Sequence, residues 1–308
     1  LSRLWQQAGM LLVLTLLLVL SAAFVPNFTK WENVKGLLLA VSLVGMISCT
    51  MLFCLAGGDF DLSVGSTVAL AGVIAALVIN KYGNAPLALM IPIAAGALIG
   101  SVNGFVIARI GINALITTLA MMQIVRGVAY LISNGSSIGV FDKGLTGMAT
   151  WSFGGLQASV YYMIALFAAF GFLLNRTVFG RNTLAIGGNS EAARLAGLPV
   201  VRTKVLIFML QGAVAAFAGV ILAARVSSGN PDTAKGLELQ VISSCVLGGV
   251  SLTGGIGTIS GMIVGVLIMG VVQNSMSLLN IDAFWQLVAS GVVLLAAVML
   301  DRLKSQKA

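Results

Sequence analysis

The chain has 308 residues, 59% of them hydrophobic and 8% charged, with a mean hydropathy of +1.06. A soluble domain carries about 25% charged residues, so a soluble enzyme, a disordered chain and a DNA-binding domain are all excluded. Lys and Arg number 17 against 9 Asp and Glu. These cations sit between long apolar blocks, which is the pattern of membrane topology and not of a nucleic-acid-binding face.

A spanning helix needs about 20 apolar residues. On that measure the chain reads as about ten spans, at 10–25, 36–56, 62–80, 86–108, 112–132, 158–174, 205–224, 238–252, 256–277 and 284–301. The first, sixth and eighth are short and are expected to extend into their flanks. Arg3 followed by Met10–Val25 imitates a secretory signal. The many spans that follow favour a retained first transmembrane helix. The chain begins with Leu1 and not Met, which suggests a missing short leader. The fold expected is all-α, a polytopic membrane bundle forming one domain over 1–308.

An even number of spans puts both termini on one side. That side carries ten of the cations, the other carries six, and Arg126 lies inside a span. Positive loops stay cytoplasmic, so both termini are expected there. The loop 133–157 is then periplasmic, polar and Gly-rich. The loop 175–204 is cytoplasmic, with five cations and the single acid Glu191 across 176–204.

Several constellations could carry function. Asp59 and Asp61, in Gly57-Gly58-Asp59-Phe60-Asp61-Leu62-Ser63, lie where two apolar runs meet. A carboxylate there needs water, a partner or a helix N-terminus. Asp61 either caps the next helix or lines a solute path. Arg126 must find a carboxylate, a carbonyl or a wet cavity, and Asp59 and Asp61 are candidate partners. Asn113, Thr117 and Gln123 share its stretch and either contact sugar hydroxyls or hold helices together. Glu191-Ala192-Ala193-Arg194-Leu195-Ala196-Gly197 reads as a short amphipathic helix, capped by Asn189 or Ser190 and stopped by Gly197. It is either an ordinary interfacial helix or a piece that docks into a groove on another protein. Glu238 stands near the outer end of its span. LAGGDFDLSVGSTVALAG (55–72) is echoed weakly by LGGVSLTGGIGTISG (247–261), each with a Gly-Gly break between apolar runs. Paired breaks of this kind point to transport sites.

Other chemistry is poorly provided for. There is no His, so the commonest general base and metal ligand is absent. Cys49, Cys54 and Cys245 are scattered in apolar runs and read as core residues. No catalytic set or metal site is expected. No G-x-x-x-x-G-K-[ST] is present, so ATP is not expected to be bound by this chain itself. An ion-coupled secondary transporter would place more ionisable residues in mid-span.

GGDFDLSVGS, GNSEAARLAG, LGGVSLTGGIGT and NSMSLLNIDAFWQ, in this order, resemble the pentose/hexose (ribose/xylose/arabinose) branch of bacterial ABC importer permeases. The resemblance runs from about Phe24 to Arg302. FVPNF, MLFCLAGGDFDLSV, INALITTLAMMQIVRG and TVFGRNTLAIGGNSEAARLAGLPVVRTK bring the chain nearest to the arabinose-type members. Asp61 occupies the family's acidic position, and Asp59 is a feature of the narrower branch.

The resemblance implies a multi-pass inner-membrane permease of a sugar importer, not an enzyme. L-arabinose is the expected sugar, with ribose, xylose or galactose as alternatives. It implies a second permease subunit, as a homodimer, and a periplasmic sugar-binding protein docking near 133–157. A cytoplasmic ATPase would bind the ATP and Mg, and no nucleic acid is involved. Glu191, Ala192, Ala193, Arg194, Leu195 and Gly197 would form the coupling helix that contacts the ATPase.

Overall fold

In the computed structural model residues 2–305 are described, with side-chain surroundings given for 9–296, 298 and 299. Leu1 and 306–308, including Lys307 of the cytoplasmic charge tally, lie outside the described residues.

The chain is a bundle of α1 (Ser2–Phe24), α2 (Trp31–Ala56), α3 (Val64–Tyr82), α4 (Ala85–Phe105, continued by a π-helical turn Val106–Ile110) and α5 (Ala114–Ser133). Then come β1 (Ile138–Gly139), α6 (Lys143–Thr150), β2 (Ser152–Phe153), β3 (Leu156–Gln157), α7 (Ala158–Arg176), α8 (Val178–Gly188) and α9 (Ser190–Leu195). The chain closes with α10 (Val200–Val226), β4 (Ser228–Gly229), α11 (Leu237–Leu247), α12 (Ile259–Leu278) and α13 (Ala283–Ser305). Among the described residues seven helices are long and apolar enough to cross a membrane: α2, α3, α4 with its π turn, α5, α7, α10 and α12. Gly9–Phe24, Leu237–Leu247 and Ala283–Ala296 are shorter apolar stretches at the other three expected positions.

Local signals set the helix ends. Asn84 accepts from Leu87 N–H to start α4, Asn113 from Leu115 N–H to start α5, and Thr258 from Gly261 N–H to start α12. Each satisfies a donor that the first turn leaves open. Gly83 ends α3 in the left-handed region, where glycine carries no Cβ penalty.

Helix α2 is the axis. Its residues from Gly45 to Ala56 are all buried, and α7, α10, α11 and α12 pack around it. The tightest seam joins α4 to α10 antiparallel. Gly96, Gly100 and Gly104, one turn apart, bring the α4 backbone against Gly212, Phe208 and Val205. Gly219 of α10 lies against Val68 of α3, and Gly261 and Gly265 of α12 against Gly248 and Ser244 of α11. Small residues at such spacing let helix backbones touch where no hydrophobic force drives helices together.

One expected span needs correction. The stretch 238–252 is not a spanning helix: α11 has 11 residues, about 16 Å against a hydrocarbon core of about 30 Å. Gly248 and Gly249 stop it early. The missing length is supplied by extended chain. After α10, β4 pairs with β1 in the loop after α5. Gly229 then lies against Gly72, and Ala234 and Glu238 face Gly65. The segment therefore runs about 10 Å back along α3 before α11 begins.

The α4–α10 seam yields a prediction. Gly100→Val would push a side chain into the Phe208 backbone, costing about 1–3 kcal/mol or more from overpacking. Gly36→Val, on an open helix surface, should leave stability nearly unchanged. Thermal unfolding of the detergent-solubilised chain, followed by tryptophan fluorescence, should show a lower midpoint for the first variant only.

Candidate functional site

The segment Glu191–Gly197 folds as the sequence predicts. Asn189 Oδ1 accepts from Ala192 N–H at 2.9 Å and caps α9. At the other end Leu198 N–H reaches Ala193 O at 3.0 Å and Gly197 N–H reaches Arg194 O at 3.0 Å. With Gly197 at φ +81°, this is a Schellman stop. Ala193 faces inward, while Leu195 is 78% exposed and Glu191, Ala192, Arg194 and Gly197 surround it in the open. Arg194 donates to both oxygens of Glu191, at 2.6 and 3.2 Å. These bonds hold the Glu191 carboxyl below its ordinary range and raise the Arg194 guanidinium above its own. The result is a protruding, preorganised helix with an apolar tip between fixed charges.

Both ends of this projection are tied to one place, residues 56–59. On the N-terminal side Phe53 of α2 stacks on Phe179 of α8 at 5.7 Å. The end of α8 then brings Gly187 against the Ala56 carbonyl. Ala56 O accepts from Gly255 N–H at 2.9 Å, Gly254 packs on Gly58 and Gly187, and Gly255 packs on Gly188. Three glycine pairs, 57–58, 187–188 and 254–255, thus meet in one knot. On the C-terminal side Lys204 in α10 pairs with Asp59 at 2.6 Å, with side chains 16% and 14% exposed.

Asp61 is 1% exposed. Its Oδ1 accepts from Ser63 N–H at 2.8 Å and from the Ser63 hydroxyl at 2.6 Å. Asn103 Nδ2 donates in turn to the Ser63 hydroxyl at 3.1 Å. Asp61 therefore shapes the turn that enters α3, bonding the N-cap residue itself and not the open N–H groups beyond it. Both carboxylates are engaged within the protein.

Arg126 has neither of them as a partner. It lies about 18 Å along α5 from Ala114 and donates to the carbonyls of Pro231 at 2.6 Å and Thr233 at 2.8 Å. One turn further, Tyr130 donates to Asp232 at 2.5 Å, and Lys235 donates to the same oxygen at 2.5 Å. Arg126 and Tyr130 thus clasp the extended segment between β4 and α11. Thr117 is buried and its hydroxyl donates to Asn113 O. Asn113 is spent as a cap, and Gln123 is exposed. The six candidate path residues therefore fall into separate groups and do not converge on one cavity.

Sequence reasoning missed Lys204, Asn103, the Gly187-Gly188 pair and the clasp at 231–235. The faint echo between 55–72 and 247–261 was the available signal for the knot. Gly58 of the first segment packs on Gly254 of the second.

A broken-helix membrane bundle with a capped, protruding helix on one end points to a transport protein. The family described as branched-chain amino acid transport system / permease component matches residues 33–298. The L-arabinose transport system permease protein AraH of Escherichia coli strain K12 is 57% identical over 99% of this chain and 93% of its own length. The L-arabinose ABC transporter permease protein AraH of Azospirillum brasilense is 50% identical over 97% of this chain and 89% of its own. The ribose import permease protein RbsC of Escherichia coli strain K12 is 36% identical over 96% and 93%. No solved structure matches the chain. The chain belongs to this permease family and is a non-enzymatic membrane transport subunit.

Asp59→Asn would leave the largely enclosed Lys204 ammonium without its partner. The loss should be about 2 kcal/mol, between the limits for exposed and buried pairs. Lys204→Met in the same chain should recover part of it. A double-substitution cycle on thermal stability reads the coupling.

Proposed function

We propose that the chain is the permease subunit of an ATP-driven, binding-protein-dependent importer of L-arabinose in the bacterial inner membrane. The observation that carries the sugar is the gradation of likeness: 57% and 50% identity to two permeases named for L-arabinose, against 36% to one named for ribose. The family's own description names branched-chain amino acids, but the near-full-length relatives are named for pentoses.

In this reading the whole chain is one domain with ten crossings, the eighth composed of the extended segment plus α11. The termini and α9 face the cytoplasm. The pairing of β1 with β4 at one end and the knot at the other support this topology, as does the basic character of 176–204. Two copies form the path, meeting through apolar faces such as Ile116, Ile124 and Leu131 of α5 and Trp285, Val288 and Val292 of α13, all exposed in the single chain. A binding protein delivers sugar at 133–157. A cytoplasmic ATPase, which holds ATP and Mg, receives α9 in a cleft.

The chemistry asked of the chain is mechanical. Closure of the ATPase displaces α9. Because α8 and α10 both grip residues 56–59, that displacement reaches the breaks before α3 and α12 together. Rigid-body motion of the packed helices then exposes the path to one side at a time.

Uptake of labelled L-arabinose into proteoliposomes holding the chain, its ATPase and its binding protein tests this. It should require ATP. Glu191→Lys should reduce it at least about tenfold, a loss exceeding about 1.4 kcal/mol, while the chain still inserts. Uptake driven by an ion gradient without the ATPase, or ATP-driven uptake of another sugar only, would overturn the mechanism or the substrate respectively.

A further inference from the structure

A cleft of about 210 Å³ opens between α2, α11, α12 and α13. Its polar lining is Gln240, Ser244, Gln273, Asn274, Ser277 and Gln286, set against apolar walls that include Val44 and Met269. None of these groups is charged. Gln240 and Ser244 stand one turn apart on α11, and Gln273 and Ser277 one turn apart on α12, so each helix presents a polar pair on one side. The volume has room for several waters.

The hydrogen-bond inventory separates two kinds of lining group. Asn274 is satisfied, exchanging bonds of 2.8 and 3.0 Å with Asn33. Gln286 Nε2 donates to Ile281 O at 3.1 Å and Ser277 Oγ at 3.3 Å. The side-chain amides of Gln240 and Gln273 make no hydrogen bond among the described residues. Amides without partners in an apolar bundle are costly unless they face water or a solute. Each offers two donors and one acceptor, the complement of a ring of hydroxyl groups.

Given the sugar-importer reading above, on which this rests, we infer that this cleft is the sugar-contact site of the permease path, with Gln240 and Gln273 as its solute-facing groups. An uncharged polyhydroxylated solute suits a neutral amide lining. A zwitterionic amino acid would leave both its charges without counter-charges there. Contacts of this kind hold the solute weakly, and a path must release what it binds. The site lies beside the half-length α11, on residues distinct from Asp59, Asp61 and the α5 group.

The test uses the assembled complex in proteoliposomes. Gln240→Cys and Gln273→Cys are treated separately with a water-soluble maleimide, since Cys49, Cys54 and Cys245 are buried. Labelling should occur at both positions and slow severalfold in excess L-arabinose. Gln240→Asn and Gln273→Asn, which keep the amide, should retain more uptake per inserted permease than Gln240→Leu and Gln273→Leu. No labelling, or labelling that no sugar slows while L-arabinose uptake persists, overturns the site. Protection by ribose or xylose but not L-arabinose keeps the site and removes the arabinose assignment. Protection by leucine and by no sugar overturns the sugar reading of the cleft.

Discussion

Backbone N–H and C=O groups at membrane depth must be satisfied without help from water, and this constraint governs the whole structure. The described chain leaves helix at 57–63, at 227–236 and at 248–258, towards the ends of the packed bundle. Unwound backbone survives there only because other backbone covers it. Ala56 O is met by Gly255 N–H, and the carbonyls of Pro231 and Thr233 are met by Arg126. Such coverage requires chains to approach more closely than side chains allow. Gly187, Gly254 and Gly58 provide that approach at the knot, as Gly96, Gly100 and Gly212 do between α4 and α10.

The same close packing has a mechanical consequence. A joint made of backbone against backbone has little slack, so in the proposed mechanism motion entering at α9 would be transmitted without being absorbed by rotamer changes. The knot joins the end of α8 to the breaks before α3 and before α12. The Asp59–Lys204 pair adds the start of α10. A short exposed helix is thereby tied to both unwound segments at its end of the bundle. At the far end the clasp of Arg126 and Tyr130 on 231–233 holds the third. Asp59, Lys204 and Arg126 serve as fasteners for unwound chain.

Much of this was legible in the residues. Apolar runs mark the seven helices that are long and apolar enough to cross a membrane, because the bilayer imposes a length and a composition that local sequence must satisfy. The cap and stop of α9 are equally local: Asn189, Gly197 and their hydrogen bonds lie within ten residues of one another. Asp61 is read from the sequence either as a cap of α3 or as a path residue; in the structure it bonds Ser63, the residue that precedes α3, and not the open N–H groups of the first turn. The 238–252 run misled because an apolar stretch ended by Gly248-Gly249 has the composition of a span without the helical length.

What the sequence by itself determined is the membrane class, the family, and the chemistry of the projecting helix, since each depends on residues close along the chain or on composition. Only the tertiary structure decided who meets whom. Lys204 takes Asp59 across more than a hundred residues of chain, Arg126 takes carbonyls and not the carboxylates, and three glycine pairs share one point. The reason is physical: partners for buried polar groups are chosen by the packing angle and depth of helices. Those follow from close approach at glycines spread over the whole sequence, which no local pattern records.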